Sequence, residues 1–563
     1  MLRDFISQYK HGLEGHTELR VQRNVNRLVV IVSGNITQNT SAEVTGLCSR
    51  VYDRGYWGFA SSAGLDEKAV PDVLGAAKKN AAFLPAKLGA KSPALPSPPP
   101  TVQPPTVLPP IAQQQPSTSP PLPAQQQPST SPPPTSTQQQ PSTPPPPSAH
   151  QQFPAEPQPL LPPPPSAQQQ PSTAQQQPST SPPPLPLSQV LPPPPTVLPP
   201  LPHGRLDTKA VEKGLQQKTL IEFARALDAY TAAKYPSLTA RRFIVGCDAI
   251  EKHIVASDGS DGYALLPRAR IYCTLSATAN DGAVIEYGDD IGTGAGFFTD
   301  LYGAPEDLYC GVDALYETLM RKREGVYADA GARDVILDSK LAGILAHEAI
   351  GHTTEADLVL GGSVAGPYMG KQVASEIVTL VDFANTALGA EAPQPIYVDD
   401  EGTPARDVRI IEGGVLKAYM HNRETASRFG HEPTGNARAY LFSDEPLVRM
   451  RNTAILPGKD KLDDMLASID DGYYLTQTGN GQADLTSEFM FSVNMGYEIK
   501  HGKMGRAIRD TTISGVAFDL LRTVTMLSDE MTWSSSGMCG KKQPMPVGMG
   551  GPSVKCRVNI GGR

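Results

Sequence analysis

A long proline-rich stretch does most to limit how this chain can fold. From about Ser92 to Pro202, Gln-Gln-Gln-Pro-Ser-Thr recurs five times between proline runs, and Glu156 is the one charged side chain. This composition buries too little apolar surface to offset the entropy of ordering, and proline favours polyproline II. We therefore expect a disordered, solvated insertion over residues 89–204. Its PxxP spacings would also suit proline-binding modules, although they arise by chance in so proline-rich a tract.

The rest of the sequence has the composition of a folded cytoplasmic protein. Roughly 450 residues remain, ample for a large core. The net charge is −8 and no basic block occurs, which argues against nucleic acid as a direct partner. Six scattered cysteines without a CxxC pair suit a reducing compartment. The first ten residues lack the apolar core of a signal peptide, and no apolar run approaches the roughly 18 residues of a membrane span.

The segments that flank the insertion, residues 1–88 and 205–325, predict small α/β structures. Alternating apolar residues predict strands, and apolar residues at helical spacing predict helices. The predicted helices are Leu65–Phe83 and Thr208–Lys234. The predicted strands are Glu18–Gln22, Arg27–Val32, Arg242–Gly246, His253–Ala256, Ala269–Leu275 and Ala283–Tyr287, with a turn at Ser33–Asn35.

The sequence pattern of residues 326–563 predicts mainly β-strands. Asp334–Leu337 is a short strand, and Asp338 or Ser339 can cap the helix that follows it. The other predicted elements are strands Glu376–Val381 and Ile396–Asp399, hairpins over Asp407–Tyr419 and Tyr497–Ile508, and a helix over Val516–Leu527. The first hairpin is expected to turn at Gly413-Gly414.

Two histidines five residues apart, His347 and His352, lie on the capped helix, and Glu348 follows the first. A regular helix would set them about 140° apart, too far for one metal ion. A π-turn would absorb the extra residue, and Gly351 is where it meets least steric resistance. On an undistorted helix, Glu348 and His352 would instead share an apolar face and form a buried hydrogen-bonded pair. The spacing alone leaves both interpretations open.

This motif and several other blocks resemble one known family. His347–His352, followed by Glu355-Ala-Asp357, is similar to the HExxxH signature of the TldD/PmbA metalloprotease family. The likeness covers nearly all of the chain except about residues 90–204. The other blocks that carry it, in family order, are Arg50–Ser62, Asp399–Pro404, Gly414–Met420, Pro433–Asn436, Met450–Thr453, Gly479–Ser487 and Cys539–Gln543.

The resemblance implies a zinc site. Catalytic zinc usually has three protein ligands and an open position, so the two histidines leave one ligand to find. The candidates are Glu355, His421, His431 and Cys539. The resemblance favours Cys539, whose block supplies the third ligand in TldD-type enzymes. It therefore implies Zn²⁺ bound by His347, His352 and Cys539, with Glu348 as general base. The other cysteines are expected to be small buried fillers: Cys48, Cys247, Cys273, Cys310 and Cys556.

The resemblance also implies an α+β architecture. An N-terminal α/β domain, residues 1–88 and 205–325, would be interrupted by the insertion at 89–204. A β-rich, barrel-like C-terminal domain, residues 326–563, would carry the HExxxH helix. Family order further implies that the strands after the insertion continue the sheet begun before residue 88.

The implied function is a peptidase acting on unfolded or extended peptides, which would pair with a sheet edge. It would work as a homodimer or as a heterodimer with a PmbA-type paralogue. One alternative is a non-catalytic partner subunit, although such subunits lack the HExxxH motif. Another is a regulatory binding protein of the modulator of DNA gyrase type. About one zinc per chain would favour the peptidase, and none would favour a binding role.

Replacing residues 92–202 by a short Gly/Ser bridge should leave fold and peptidase activity intact. Loop-closure entropy changes by only about 0.6 kcal/mol per doubling of length, so the shorter loop should be neutral or slightly stabilising. Thermal unfolding and cleavage of an unfolded peptide would be compared with the full chain. Misfolding, or lost cleavage with zinc retained, would show that the repeats take part in catalysis.

Overall fold

The structure is a computed structural model that describes residues 2–88, 216–483, 486–535 and 537–561. The predicted insertion at 89–204 lies outside the described residues, as does the start of the predicted helix Thr208–Lys234. The described chain is a mixture of helices and sheets, as the α+β prediction requires. Within those ranges, no helix is both long enough and apolar enough to cross a membrane.

Strands on both sides of residues 89–215 form one sheet. They are β1 (His16–Val32), β2 (Asn35–Asp53), β3 (Tyr56–Ala63), β4 (Ala240–Ala256), β5 (Asp261–Thr278) and β6 (Val284–Ala295). The sheet is antiparallel, in the order β3-β2-β1-β4-β5-β6. The join is between β1 and β4, which pair from Glu18 opposite Ala256 to Val32 opposite Arg242.

Helices cover this sheet and supply its core. They are α1 (Leu2–Ser7), α2 (Ala69–Leu88), α3 (Gln217–Lys234), α4 (Phe298–Leu301) and α5 (Tyr309–Arg323), with 3₁₀ turns at Lys10–Gly12 and Pro305–Leu308. Helix α2 packs on β2 and β3, α3 on β1 and β4, and α5 on β5 and β6. The apolar faces of α3 and α5 bury Leu220, Phe223 and Val312 against strand residues such as Phe243.

Four of the predicted strands are halves of two longer ones, so the predicted breaks in β1 and β4 were wrong. The apolar alternation weakens there because polar side chains of both strands have buried partners elsewhere. Gln22 and Asn24 donate to the carbonyl oxygen of Tyr440 at 2.5 and 2.8 Å. Lys252 binds the Asp400 carboxylate at 2.7 Å. These partners come from the C-terminal part of the chain, so no local sequence pattern predicts them.

The C-terminal part contains a closed five-stranded barrel. Its strands are β7 (Gly331–Leu337), β16 (Asp471–Ala483), β17 (Glu488–Lys500), β19 (Thr511–Val516) and β23 (Gly548–Gly561). Pairing runs β7-β16-β17-β19-β23, and β23 returns to β7, which closes the ring. The barrel-like prediction is therefore confirmed. Outside the ring lie β8 (Leu380–Phe383), β9 (Thr386–Ala387), β10 (Ala390–Glu391), β11 (Val408–Glu412), β12 (Val415–Leu416), β13 (Ala437–Arg438), β14 (Leu447–Val448), β15 (Asn452–Ile455), β18 (Lys503–Ile508), β20 (Met526–Ser534), β21 (Met538–Cys539) and β22 (Met545–Pro546).

A helix that changes its geometry along its length packs against this barrel. Helix α6 (Ser339–Ile344) continues as a π-helix (Leu345–Gly351) and ends in a 3₁₀ turn (His352–Thr354). Leu341 and Leu345 are fully buried in the main core cluster with barrel residues. The remaining helices are α7 (Ala356–Leu360), α8 (Arg423–Phe429), α9 (Leu462–Ala467) and α10 (Ala517–Arg522), with a 3₁₀ turn at Gly366–Tyr368.

Local predictions in this part had mixed outcomes. Both hairpins are confirmed; the first turns at Gly413-Gly414, which both have positive φ, as a type I′ turn requires. The strand predicted at Glu376–Val381 is instead Leu380–Phe383. Ile396–Asp399 forms only one bridge, because the Asp399 side chain accepts from the backbone of Glu401 and Thr403 and closes a turn.

The helix predicted over Val516–Leu527 was too long. It ends at Arg522, and the strand β20 begins at Met526. The intervening Thr525 donates its backbone N–H to the carbonyl of Lys555 on β23. Pairing with a neighbouring strand therefore overrides the local helical pattern.

Buried ion pairs join the six-stranded sheet to the C-terminal part. Arg50 on β2 binds Glu18 on β1 at 3.0 Å and also Glu401, all three nearly without exposure. Burial lowers the pKa of Lys252 to about 8, even though its partner Asp400 opposes the shift. A buried charge that loses its partner is costly, so these pairs hold the two parts in one register.

Candidate metal centre

The helix that carries the histidines begins as predicted and then departs from α geometry. Asp338 caps it, its Oδ1 accepting from the backbone N–H of Leu341 at 2.8 Å. The following π-helix has the i→i−5 bonding that a five-residue spacing needs, and the N–H of His352 donates to the carbonyl of His347. The predicted π-turn between the two histidines is confirmed.

The π-helix brings both imidazoles to one side, where Cys539 meets them. The ring centroids of His347 and His352 are 5.1 Å apart. The ligand atoms of His347, His352 and Cys539 all lie within 4.8 Å of one another. Cys539 Sγ is 3.3 Å from His352 Nε2. Two donors that are close in sequence and a third from a distant part of the chain therefore converge on one point.

The chemistry of these donors fits a zinc ion. His347 is only 1% exposed, yet neither of its ring nitrogens has a hydrogen-bond partner among the described residues. Burial alone would raise the pKa of the Cys539 thiol, but the neighbouring imidazoles of His347 and His352 lower it to about 4. An unpartnered imidazole and a thiolate are the nitrogen and sulfur donors that zinc prefers. Three protein donors leave a fourth position open.

Glu348 lies beside the cluster and is partly exposed. Its Oε2 is 3.7 Å from His352 Nε2, and the side chain is 21% exposed. This distance is too long for a hydrogen bond. The alternative of a buried Glu348–His352 pair is therefore wrong, and the carboxylate remains available for proton transfer.

Glu355 holds His352 from the opposite side of the ring. Its Oε2 lies 2.8 Å from His352 Nδ1, which directs Nε2 toward Cys539. Lys541 Nζ lies 3.2 Å from the same Glu355 oxygen and 2.8 Å from Asp357. Burial would raise the pKa of Glu355, but His352 and Lys541 lower it below its usual value. Such carboxylate–histidine contacts fix the orientation of a metal ligand.

The other two candidate ligands lie apart from this cluster. His421 is buried, and its Nδ1 lies 3.2 Å from the hydroxyl of Thr425. Burial lowers the pKa of His421 to about 4. Its ring centroid is 5.6 Å from that of the exposed His431. Neither belongs to the one group of potential metal donors found among the described residues.

Three sequence profiles of one family match successive parts of the chain. Residues 17–81 match PmbA/TldA metallopeptidase domain 1, residues 212–320 the central domain, and residues 330–562 the C-terminal domain. This chain belongs to the PmbA/TldD family. The resemblance seen in the sequence is thereby confirmed, and the donor cluster lies within the C-terminal match.

Individual relatives agree with this assignment. The zinc metalloprotease TldD homolog of Saccharolobus solfataricus is 31% identical over 314 residues, which are 55% of this chain and 67% of that protein. The metalloprotease TldD homolog of Buchnera aphidicola is 40% identical over 238 residues, 41% of this chain. The chain thus spans about half (49%) of the length of the Buchnera relative.

Solved structures share the PmbA/TldD fold. TldE from Thermococcus kodakarensis has a TM-score of 0.64 at 15% identity, covering 100% of this chain and 99% of that one. A candidate modulator of DNA gyrase from Thermotoga maritima has a TM-score of 0.64 at 17% identity, covering 99% and 98%. At these identities the comparison establishes the fold alone.

Sequence reasoning missed Lys541 and was wrong about one cysteine of this PmbA/TldD chain. Lys541 lies in the quoted block Cys539–Gln543, two residues after the thiol, which was the only available signal. Its carboxylate partners Glu355 and Asp357 are more than 180 residues away, so the pairing could not be foreseen. Cys310 is exposed, not a buried filler, whereas the other four cysteines outside the cluster are buried.

Gly351→Ala should disturb the centre through packing. A Cβ at this position would lie 1.9 Å from Sδ of the fully buried Met450. Overpacking of this kind typically costs about 1–3 kcal/mol, and here it would also displace the π-helix. Urea unfolding and metal content would be measured for Gly351→Ala alone and together with Met450→Ala. The second change should restore metal binding, and its failure to do so would contradict the packing explanation.

Proposed function

We propose that this chain is a zinc-dependent peptidase that hydrolyses unfolded or extended peptides. The observation that carries the proposal is the convergence of His347, His352 and Cys539 within 4.8 Å, beside the partly exposed Glu348. His347, His352 and Cys539 are the proposed zinc ligands. When bound, the zinc ion supplies Lewis acidity that polarises a peptide carbonyl and activates water near neutral pH.

Glu348 is the proposed general base. It follows a proposed ligand directly in sequence, and its own side chain is partly exposed, with Oε2 3.7 Å from His352 Nε2. It takes a proton from the attacking water and returns it to the leaving amine, which leaves its charge unchanged over the cycle. Glu355 keeps His352 in the tautomer that presents Nε2 to the centre, while Lys541 holds Glu355 in place.

A strand edge next to the centre supports an extended substrate. β6 is the last strand of the six-stranded sheet and pairs only with β5 among the described residues. Thr293 on β6 contacts the hydroxyl of Ser535, in the segment that leads to Cys539, at 2.7 Å. A peptide that adds to this edge would be recognised through its backbone and would tolerate many side chains.

The proposal extends to partners and location. The resemblance to the family implies a dimer, either of this chain or with a PmbA-type paralogue. The described cysteines are all free thiols, as expected in the cytoplasm. A regulatory role like that named for the Thermotoga protein would not need the converging donors.

Cys539→Ser should abolish stoichiometric zinc binding, because an alcohol is a far poorer zinc ligand than a thiolate. Cys556→Ser is the matched control, since that thiol is also buried in the same part of the chain but lies outside the donor cluster. Zinc per chain would be measured by elemental analysis after dialysis. Full zinc in Cys539→Ser would refute this ligand assignment.

Glu348→Gln should keep zinc and lose hydrolysis, because the amide preserves shape but cannot accept the proton. The expected loss of kcat is about 10²–10⁴-fold. Cleavage of an unfolded peptide and zinc content would be measured side by side. Glu412→Gln, an exposed change on the β11–β12 hairpin, should leave both unchanged. Near wild-type cleavage by Glu348→Gln would show that this residue is not the base.

A further inference from the structure

A buried arginine holds the backbone of the segment that carries Cys539. Arg449, fully buried, directly follows β14. Its Nη2 donates to the carbonyl of Cys539, and its Nη1 to the carbonyls of Lys541 and Gln543, each at 2.9 Å. One guanidinium thus binds three carbonyls within five consecutive residues.

These hydrogen bonds offset part of the cost of burying this charge. All three go to carbonyl oxygens, and Nε has no hydrogen-bond partner among the described residues. The nearby Arg451 differs, because it binds the Asp382 carboxylate at 2.9 Å. A charge buried without a carboxylate partner requires well-formed hydrogen bonds. The guanidinium and the segment therefore depend on each other.

The segment itself does not favour the conformation that it adopts. Lys542, the fourth of its five residues, has φ of +57°, in the left-handed region that residues other than glycine seldom occupy. A Cβ at Gly540 would meet no atom within 4 Å. The segment has one internal backbone hydrogen bond, from the N–H of Gln543 to the carbonyl of Lys541. Contacts from outside the segment add to this bond, and the planar fork of Arg449 reaches three of its carbonyls at once.

We propose that Arg449 is a positioning residue for the third metal ligand, holding the 539–543 segment so that the Cys539 thiolate faces His347 and His352. This inference rests on the proposed function, because it takes Cys539 as a ligand. Without Arg449 fewer contacts order the segment before metal binds, so part of the metal-binding free energy is spent on ordering it, which lowers metal affinity. Residues that orient a ligand typically change metal affinity by about 10–100-fold when replaced.

The test uses cobalt(II) as the probe, because its thiolate charge-transfer absorption reports directly on a Co–S bond. Co²⁺ affinity and this band would be measured on the full chain for wild type, Arg449→Lys and Arg449→Gln. Lysine keeps the charge but lacks the planar fork, whereas glutamine keeps amide donors without the buried charge. Arg438→Lys is the control, since Arg438 is also buried and donates to the carbonyl of Met450, outside the segment.

We expect Co²⁺ to bind about 10–100-fold more weakly to the folded Arg449 variants, with a weaker charge-transfer band at saturation. Arg438→Lys should match wild type. An Arg449 variant with unchanged affinity and band would overturn the inference. Circular dichroism would show which variants fold. The expected loss of Co²⁺ affinity and of the band applies to each of the two Arg449 variants that folds.

Combining each Arg449 variant with Cys539→Ser completes a double-mutant cycle. If Arg449 acts through the thiolate, adding its replacement to Cys539→Ser should not weaken Co²⁺ binding further. Equal weakening in both backgrounds would show a general structural role and overturn the inference. Wild-type protein that lacks the thiolate band would refute the proposed ligand set as well. A normal wild-type band with normal Arg449 variants would refute the positioning role alone.

Discussion

The centre depends on a change of helical geometry within one segment. An α-helix turns about 100° per residue and cannot direct side chains five positions apart to one ion. The π-helix over Leu345–Gly351 removes this obstacle, and the packing of Gly351 against Met450 leaves no space for a larger residue. Asp338 fixes where the helix starts, and the barrel core buries its apolar face. The positions of His347 and His352 follow from these local contacts.

The third donor comes from a different part of the fold and is held by charges. Lys541 ties the segment after Cys539 to Glu355, which in turn holds His352. The buried Arg449 donates hydrogen bonds to three carbonyls of the same segment. These contacts hold the loop beside the two histidines, at the expense of burying several charges.

Much of the local structure was readable from the sequence. The cap at Asp338 and the turn at Gly413-Gly414 each follow from a few neighbouring residues whose backbone preferences are strong, whereas the π-turn followed only if both histidines bind one metal ion. The errors occurred where distant partners override the local pattern. Polar residues within β1 and β4 form hydrogen bonds and ion pairs with Tyr440 and Asp400. Because they interrupt the apolar alternation, each of these long strands was predicted as two short ones.

The sequence by itself determined the unusual spacing of His347 and His352, the acid between them and the family to which the chain belongs. It could name Cys539 only through resemblance, because no local pattern links a thiol to histidines nearly 190 positions earlier. Only the tertiary structure decided that Glu348 stays partly exposed while Glu355 binds the ring of His352. It also decided that Lys541 and Arg449 bind the cysteine segment to other parts of the fold. Spacing along a helix is a short-range property of the backbone. The contacts between the 539–543 segment, the histidine helix and the buried Arg449 depend instead on how the whole C-terminal part folds.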